Sequence, residues 1–217
     1  MDAQTLTSLN ARIAGCTACR LHETRTLTVP GDGDPDAELM FIGEGPGANE
    51  DKQGRPFVGR AGQLLDELLG EIGLSRPEVF VANVVKCRPP GNRDPQPDEI
   101  GCCEVYLREQ IEGIRPKLIV LLGRFATQYF LPDAKMGESR GQPFQAGPWL
   151  ILPVYHPSAA LRNSNLMQTM RDDFAIIPPL LAYSERPEIA ALQVGHSHGD
   201  SSSGEPAQDD DSQRSLL

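Results

Sequence analysis

The residues best suited to chemistry fall into two sets. Cys16 and Cys19 form a C-x-x-C pair near the start of the chain, and Cys87, Cys102 and Cys103 follow far downstream. Thiolates brought together from two such groups suit tetrahedral ligation of zinc or of iron. The long separation departs from the common zinc pattern of two C-x-x-C pairs, and an odd, uneven set of five argues against a secreted disulfide framework. The second set is polar: the loop GEGPGANED at residues 43–51, Asn83 within NVVKCRPPGNR, and His156 within YHPSAALRN. The glycines of the loop let backbone approach a ligand closely and offer N–H donors. No Lys-Ser/Thr pair closes it, and Glu50 and Asp51 stand where a bound phosphate would be repelled, so it is not read as a nucleotide-phosphate loop. Asn83 pairs one carbonyl with one NH2, the complement of a pyrimidine base edge. His156 can serve as a hydrogen-bond donor or as an acid and base.

Four apolar runs must position these groups. Residues 39–43, 79–85, 118–122 and 150–154 are continuously hydrophobic or rich in β-branched residues, as buried parallel strands are. They alternate with helical patterns: residues 61–72 (AGQLLDELLGEI) repeat leucine at helical spacing, and residues 97–114 open with Pro and acids before an amphipathic run. Such alternation predicts an α/β fold, a three-layer α/β/α arrangement around a four-stranded, mainly parallel twisted sheet. Ligands bind at the carboxyl ends of the strands in such sheets, which is where the polar motifs fall.

With 217 residues and 39% hydrophobic composition, the chain supports one domain, placed at residues 1–183. Residues 184–217 lose hydrophobic periodicity and are rich in Ser, Gly and Asp, the composition of a disordered acidic tail. His196 and His198 lie in that tail without a third ligand nearby. No run approaches the roughly 20 apolar residues of a membrane span, and the start of the chain has no signal-peptide pattern. A cytoplasmic, monomeric protein is therefore expected. The formal net charge is −10, and the body before the tail stays acidic, with 23 acids against 18 bases. A nucleic-acid face would thus need a local concentration of cations, for which Arg55, Arg60, Lys86, Arg88, Arg93, Arg140 and Arg162 are the candidates.

The segments GEGPGANEDKQGRPFVGRAGQLLDELL, NVVKCRPPGNRDPQPDEI and YHPSAALRN, in this order, resemble the family 4 uracil-DNA glycosylases, an iron–sulfur group of bacteria and archaea. The resemblance runs over residues 16–181, almost the whole ordered body. It implies excision of uracil from DNA, single- or double-stranded, after the base is flipped out of the stack. It further implies that Cys16, Cys19, Cys87 and Cys103 hold a 4Fe-4S cluster, with Cys102 left over. Phe57 would stack on uracil, the backbone of Gly45 and Pro46 after Glu44 would meet its carbonyl edge, and Asn83 would read N3–H and O4. His156 would donate to O2 as the bond breaks. The aspartate that activates water in some other uracil glycosylases is replaced by Gly45, leaving Glu44 or Glu50 for that task. Leu161 would wedge into the gap left by the flipped base, and Arg162 would contact a phosphate. Two rivals use the same scaffold: a relative that traps the base covalently, which carries a basic histidine-bearing insertion not seen here, and a non-catalytic nucleic-acid-binding module.

Overall fold

The computed structural model describes residues 1–183. The tail at residues 184–217, with His196 and His198, lies outside the described residues.

The strands are β1 (Asp32–Gly33), β2 (Leu39–Gly43), β3 (Phe80–Asn83), β4 (Leu118–Leu122), β5 (Phe144–Ala146) and β6 (Trp149–Val154). The helices are α1 (Ala3–Ala14), α2 (Ala48–Gln53), α3 (Arg60–Glu71), α4 (Pro97–Ile114), α5 (Arg124–Phe130), α6 (Met136–Ser139), α7 (Pro157–Arg162), α8 (Leu166–Ala175) and α9 (Ile177–Tyr183). The sheet order is β1-β3-β2-β4-β6-β5. The four expected strands form its parallel centre, with Gly43 opposite Asn83 and Leu122 opposite Val154. The four-stranded expectation is corrected to six: β1 and β5 add short antiparallel edges. At two and three residues they are too short to leave a periodic signal, and β5 is joined to β6 by a tight turn at Gly147, φ 58°.

Period-2 alternation divides each central strand between two cores. Met40, Ile42, Ile119, Leu121 and Ile151 face α4 and α5, whereas Phe41, Val81, Val120, Leu152 and Val154 face α3, α7 and α8. Helix α3 spans the expected leucine repeat and buries Leu64, Leu65, Leu68 and Leu69. Helix α4 starts at Pro97, whose missing N–H suits the first turn, and Glu99 closes a capping box with Gln96. Residues 84 and 85, expected in the strand, leave β3: Val84 N–H and Val85 N–H bond to the carbonyls of Gly43 and Glu44, drawing the two strand-end loops together.

Candidate active site

At the carboxyl ends of β2, β3, β4 and β6 lies a pocket of about 550 Å3. Glu44, Gly45, Pro46, Glu50, Phe57, Asn83, His156 and Arg162 all line it. The structure therefore brings together every expected base-site residue. Leu161 is not among the lining residues and is 36% exposed on α7.

Phe57 sits on the loop between α2 and α3 with φ 53°, a left-handed conformation that a bulky residue adopts only when packing enforces it. Two contacts enforce it. A Cβ at Gly62 would lie on the Phe57 carbonyl, so only glycine lets α3 approach that loop. Glu50 Oε1 accepts the N–H groups of Val58 and Gly59 at 3.0 and 2.9 Å, clamping the residues that follow Phe57. The Phe57 ring then lies 5.5 Å from the His156 ring, tilted by 31°.

Asn83 ends β3, is 2% exposed, and its Oδ1 is buried without a hydrogen-bond partner. An orphaned buried acceptor costs about 1–3 kcal/mol, which a bound donor would recover. Gly43, opposite Asn83, leaves room for the amide: a Cβ there would stand 2.5 Å from Oδ1 and 2.8 Å from Phe57 Cζ. Likewise a Cβ at Gly123, after β4, would meet His156 Cβ at 2.9 Å.

His156 precedes α7, and its Nδ1 accepts the Ser158 backbone N–H at 3.2 Å, with Ser158 Oγ at 2.9 Å. A backbone N–H only donates, so the neutral ring carries its proton on Nε2. Burial lowers its pKa to about 4, with the Arg162 charge adding to the effect and Glu50 opposing it. This histidine is a neutral donor at physiological pH. The Glu44 carboxyl is raised above its ordinary value, chiefly by burial and then by Asp94, with Arg124 opposing. Among the described residues its side chain has no hydrogen-bond partner.

The expected basic face is corrected in part. Lys86 is 1% exposed and faces the interior. Arg55, Arg93 and Arg140 are held by Asp32, Glu99 and Asp173. Arg60, Arg88 and Arg162 make no ion pair among the described residues. Sequence reasoning missed Ser158, which sets the histidine tautomer, and the Asp94–Arg124 pair at 3.2 Å, both lining the pocket. Arg124 follows the strand end at Leu122, a positional signal that the sequence reading passed over.

A second, smaller recess is lined by all five cysteines with Arg25, Lys86 and Tyr106 among its other walls. None is in a disulfide. Arg25 donates to Cys87 Sγ and the Lys86 backbone N–H to Cys103 Sγ, each at 3.2 Å, while the Cys102 thiol turns to the Ala18 carbonyl. Burial pushes the Cys19, Cys87 and Cys103 thiols up, Cys103 to about 12. Among the described residues no group of three or more His, Cys, Asp or Glu side chains is set to hold a metal ion. No helix among them is long and apolar enough to cross a membrane.

A doubly wound sheet with an aromatic, an orphaned amide and a neutral histidine at its strand ends defines a class. The chain belongs to the uracil DNA glycosylase superfamily, whose family model matches residues 30–175. Within that superfamily it is a member of the type-4 family. It is 47% identical over 193 residues to the type-4 uracil-DNA glycosylase of Sulfurisphaera tokodaii, covering 83% of this chain and 87% of that one. The type-4 enzyme of Thermotoga maritima is 49% identical over 161 residues, 71% of this chain and 82% of its own. The type-5 uracil-DNA glycosylase of Thermus thermophilus is 36% identical over 141 residues, 58% and 63% of the two chains.

Proposed function

We propose that this chain removes uracil from DNA by hydrolysing the N-glycosidic bond. The observation that carries the reading is the buried Asn83 amide with its orphaned Oδ1, set in one pocket with Phe57 and the Nε2–H of His156. Uracil N3–H would donate to Oδ1, and Asn83 Nδ2 would donate to O4. Cytosine presents the reverse pattern at that edge, leaving buried groups unpaired, a penalty that reaches about 10⁴-fold in such sites. Phe57 supplies a stacking face, which helps offset the few kcal/mol of extracting a base from the duplex.

Breaking the N1–C1′ bond leaves negative charge on uracil O2 and positive character on the sugar. A neutral donor held in place by Ser158 stabilises the departing anion without reorganisation, which is the role of His156 Nε2–H. The two acids divide the remaining work. Glu50 is structural at Oε1, which accepts both N–H groups and holds the Phe57 loop. Glu44, unpaired and raised by burial, is the acid left to orient the attacking water. Leu161, exposed at the end of α7, fits the wedge, and Arg162 beside it fits a phosphate contact.

The donor set of the cysteine recess, thiols from both parts of the chain lining one space, supports the reading of an iron–sulfur cluster. Cys16, Cys19, Cys87 and Cys103 would hold a 4Fe-4S group, with Arg25 and the Lys86 N–H donating to two of the sulfurs. Cys102, engaged with Ala18, stands aside. Glycosidic hydrolysis transfers no electrons, so the cluster would supply cross-linking of the N-terminal segment to the body.

The test is a duplex carrying one U opposite G, treated with alkali after incubation and compared with a T-containing control. Strand cleavage at U alone, over several turnovers, is expected. A denaturant-resistant protein–DNA band without cleavage would overturn hydrolysis in favour of covalent trapping, and neither result would leave a binding module.

A further inference from the structure

We propose that Lys86 is a positioning residue for base recognition: its buried ammonium holds the backbone carbonyl of Asn83 and so aims the amide that reads the base. The inference rests on the pocket being a uracil site. Lys86 Nζ donates to the Asn83 carbonyl at 2.8 Å and to Gln110 Oε1 at 2.6 Å. No carboxylate pairs with it among the described residues. Burying an ammonium without a paired carboxylate is unfavourable, and an aliphatic side chain of similar length would fill the same space without that penalty. What the ammonium does make in that space is two short hydrogen bonds, one of them to the base-reading residue.

Those bonds act where the sheet gives least support. Asn83 is the last residue of β3, and the edge strand β1 reaches only Val81 and Phe80. Beyond Asn83 the chain turns away, tied by Val84 and Val85 to the loop after β2. The lysine braces this turn from behind. Gln110 is fully buried on α4, and its Nε2 donates to the Pro30 carbonyl at 2.7 Å. The Lys86 carbonyl accepts the Val29 N–H at 2.8 Å. Lys86 thus links the base-reading residue to α4 through its side chain and to Val29 through its backbone, with Gln110 carrying the link on to Pro30. Release of the Asn83 carbonyl would let its peptide plane rotate, and a displacement of about 1 Å at a substrate-positioning group costs up to about 10²-fold in rate.

The experiment is a double-mutant cycle on uracil release under single turnover with excess enzyme, comparing proteins of equal iron content and equal circular dichroism. Lys86→Met in the wild-type background is expected to lower the rate about 10- to 100-fold. In an Asn83→Ala background the same change is expected to alter the rate by less than about twofold, because its target is gone. A purely structural contribution would lower both backgrounds alike. Additive losses, or a wild-type rate in Lys86→Met, would overturn the inference. If Lys86→Met fails to fold, Gln110→Met removes the brace and enters the same cycle under the same criteria. A wild-type protein that releases no uracil would overturn the uracil site itself, whereas release with additive losses removes only the role of Lys86.

Discussion

Acidification separates a neutral histidine donor from a charged one. The fall of His156 from 6.5 to about 4 corresponds to about 3 kcal/mol against protonation, at about 1.4 kcal/mol per pH unit. At pH 5.5 an ordinary histidine is about 90% imidazolium, whereas a group at about 4 is about 3% charged. The assay is single-turnover uracil release from pH 5 to 8 in the wild type, Glu44→Gln, and each combined with His156→Ala. Removing one donor aimed at a developing anion costs about 10²–10³-fold, and that ratio should stay constant over the whole range. Glu44, whose carboxyl is raised chiefly by burial, is the acid whose protonation would cost activity, so any acid loss in the wild type should disappear in Glu44→Gln. A rate that climbs about tenfold per pH unit as pH falls from 8 to 6.5, and that His156→Ala abolishes, would refute the neutral donor. Stability carries the same signature. The unfolded chain takes up a proton that the folded one refuses, so this stabilisation is complete above 6.5 and drains away as pH falls toward about 4. The urea midpoint of the wild type should accordingly fall further over that window than that of His156→Ala.

Gly43→Ala should fold, with overpacking costing about 1–3 kcal/mol, yet lose more than about 10²-fold in uracil release, because its Cβ meets Asn83 Oδ1 and Phe57; retained activity would show that the amide does not need that space. Glu50→Gln keeps an acceptor for Val58 and Gly59 and should retain most of the rate, whereas Glu50→Ala should lose it together with affinity for free uracil, measured by fluorescence or calorimetry. Cys87→Ser should lose iron, visible absorbance and thermal stability, while Cys102→Ser should keep all three.

Much of this arrangement was legible in the sequence because it rests on local signals. The parallel strands were continuous apolar runs, α3 was a leucine repeat, and α4 announced itself with Pro97 and its first-turn acids. The site motifs were legible because parallel topology sends all strand ends to one side, so Glu44, Asn83 and His156 had to converge. Long-range pairing was not legible. That Lys86 points inward to Asn83 and Gln110 depends on a partner 24 residues away in the chain. That Glu50 clamps the Phe57 loop, rather than standing free in the pocket, depends on backbone N–H groups that no side-chain pattern encodes. The arginines looked like a basic face because their types are visible in sequence, while their acidic partners, such as Asp173 for Arg140, are distant in it.

The two short edge strands bear on how the protein behaves at high concentration. A parallel centre of long apolar strands would present, at a bare edge, a ladder of unpaired N–H and C=O groups able to recruit another chain. Here each flank ends in a stub. On one side lies β1, two residues long, with Asp32 held by Arg55; on the other lies β5, a three-residue hairpin arm folded back by Gly147. Neither offers enough register for an incoming strand to align, so the hydrophobic centre is shielded against edge-to-edge aggregation by the same brevity that hid these strands from the sequence.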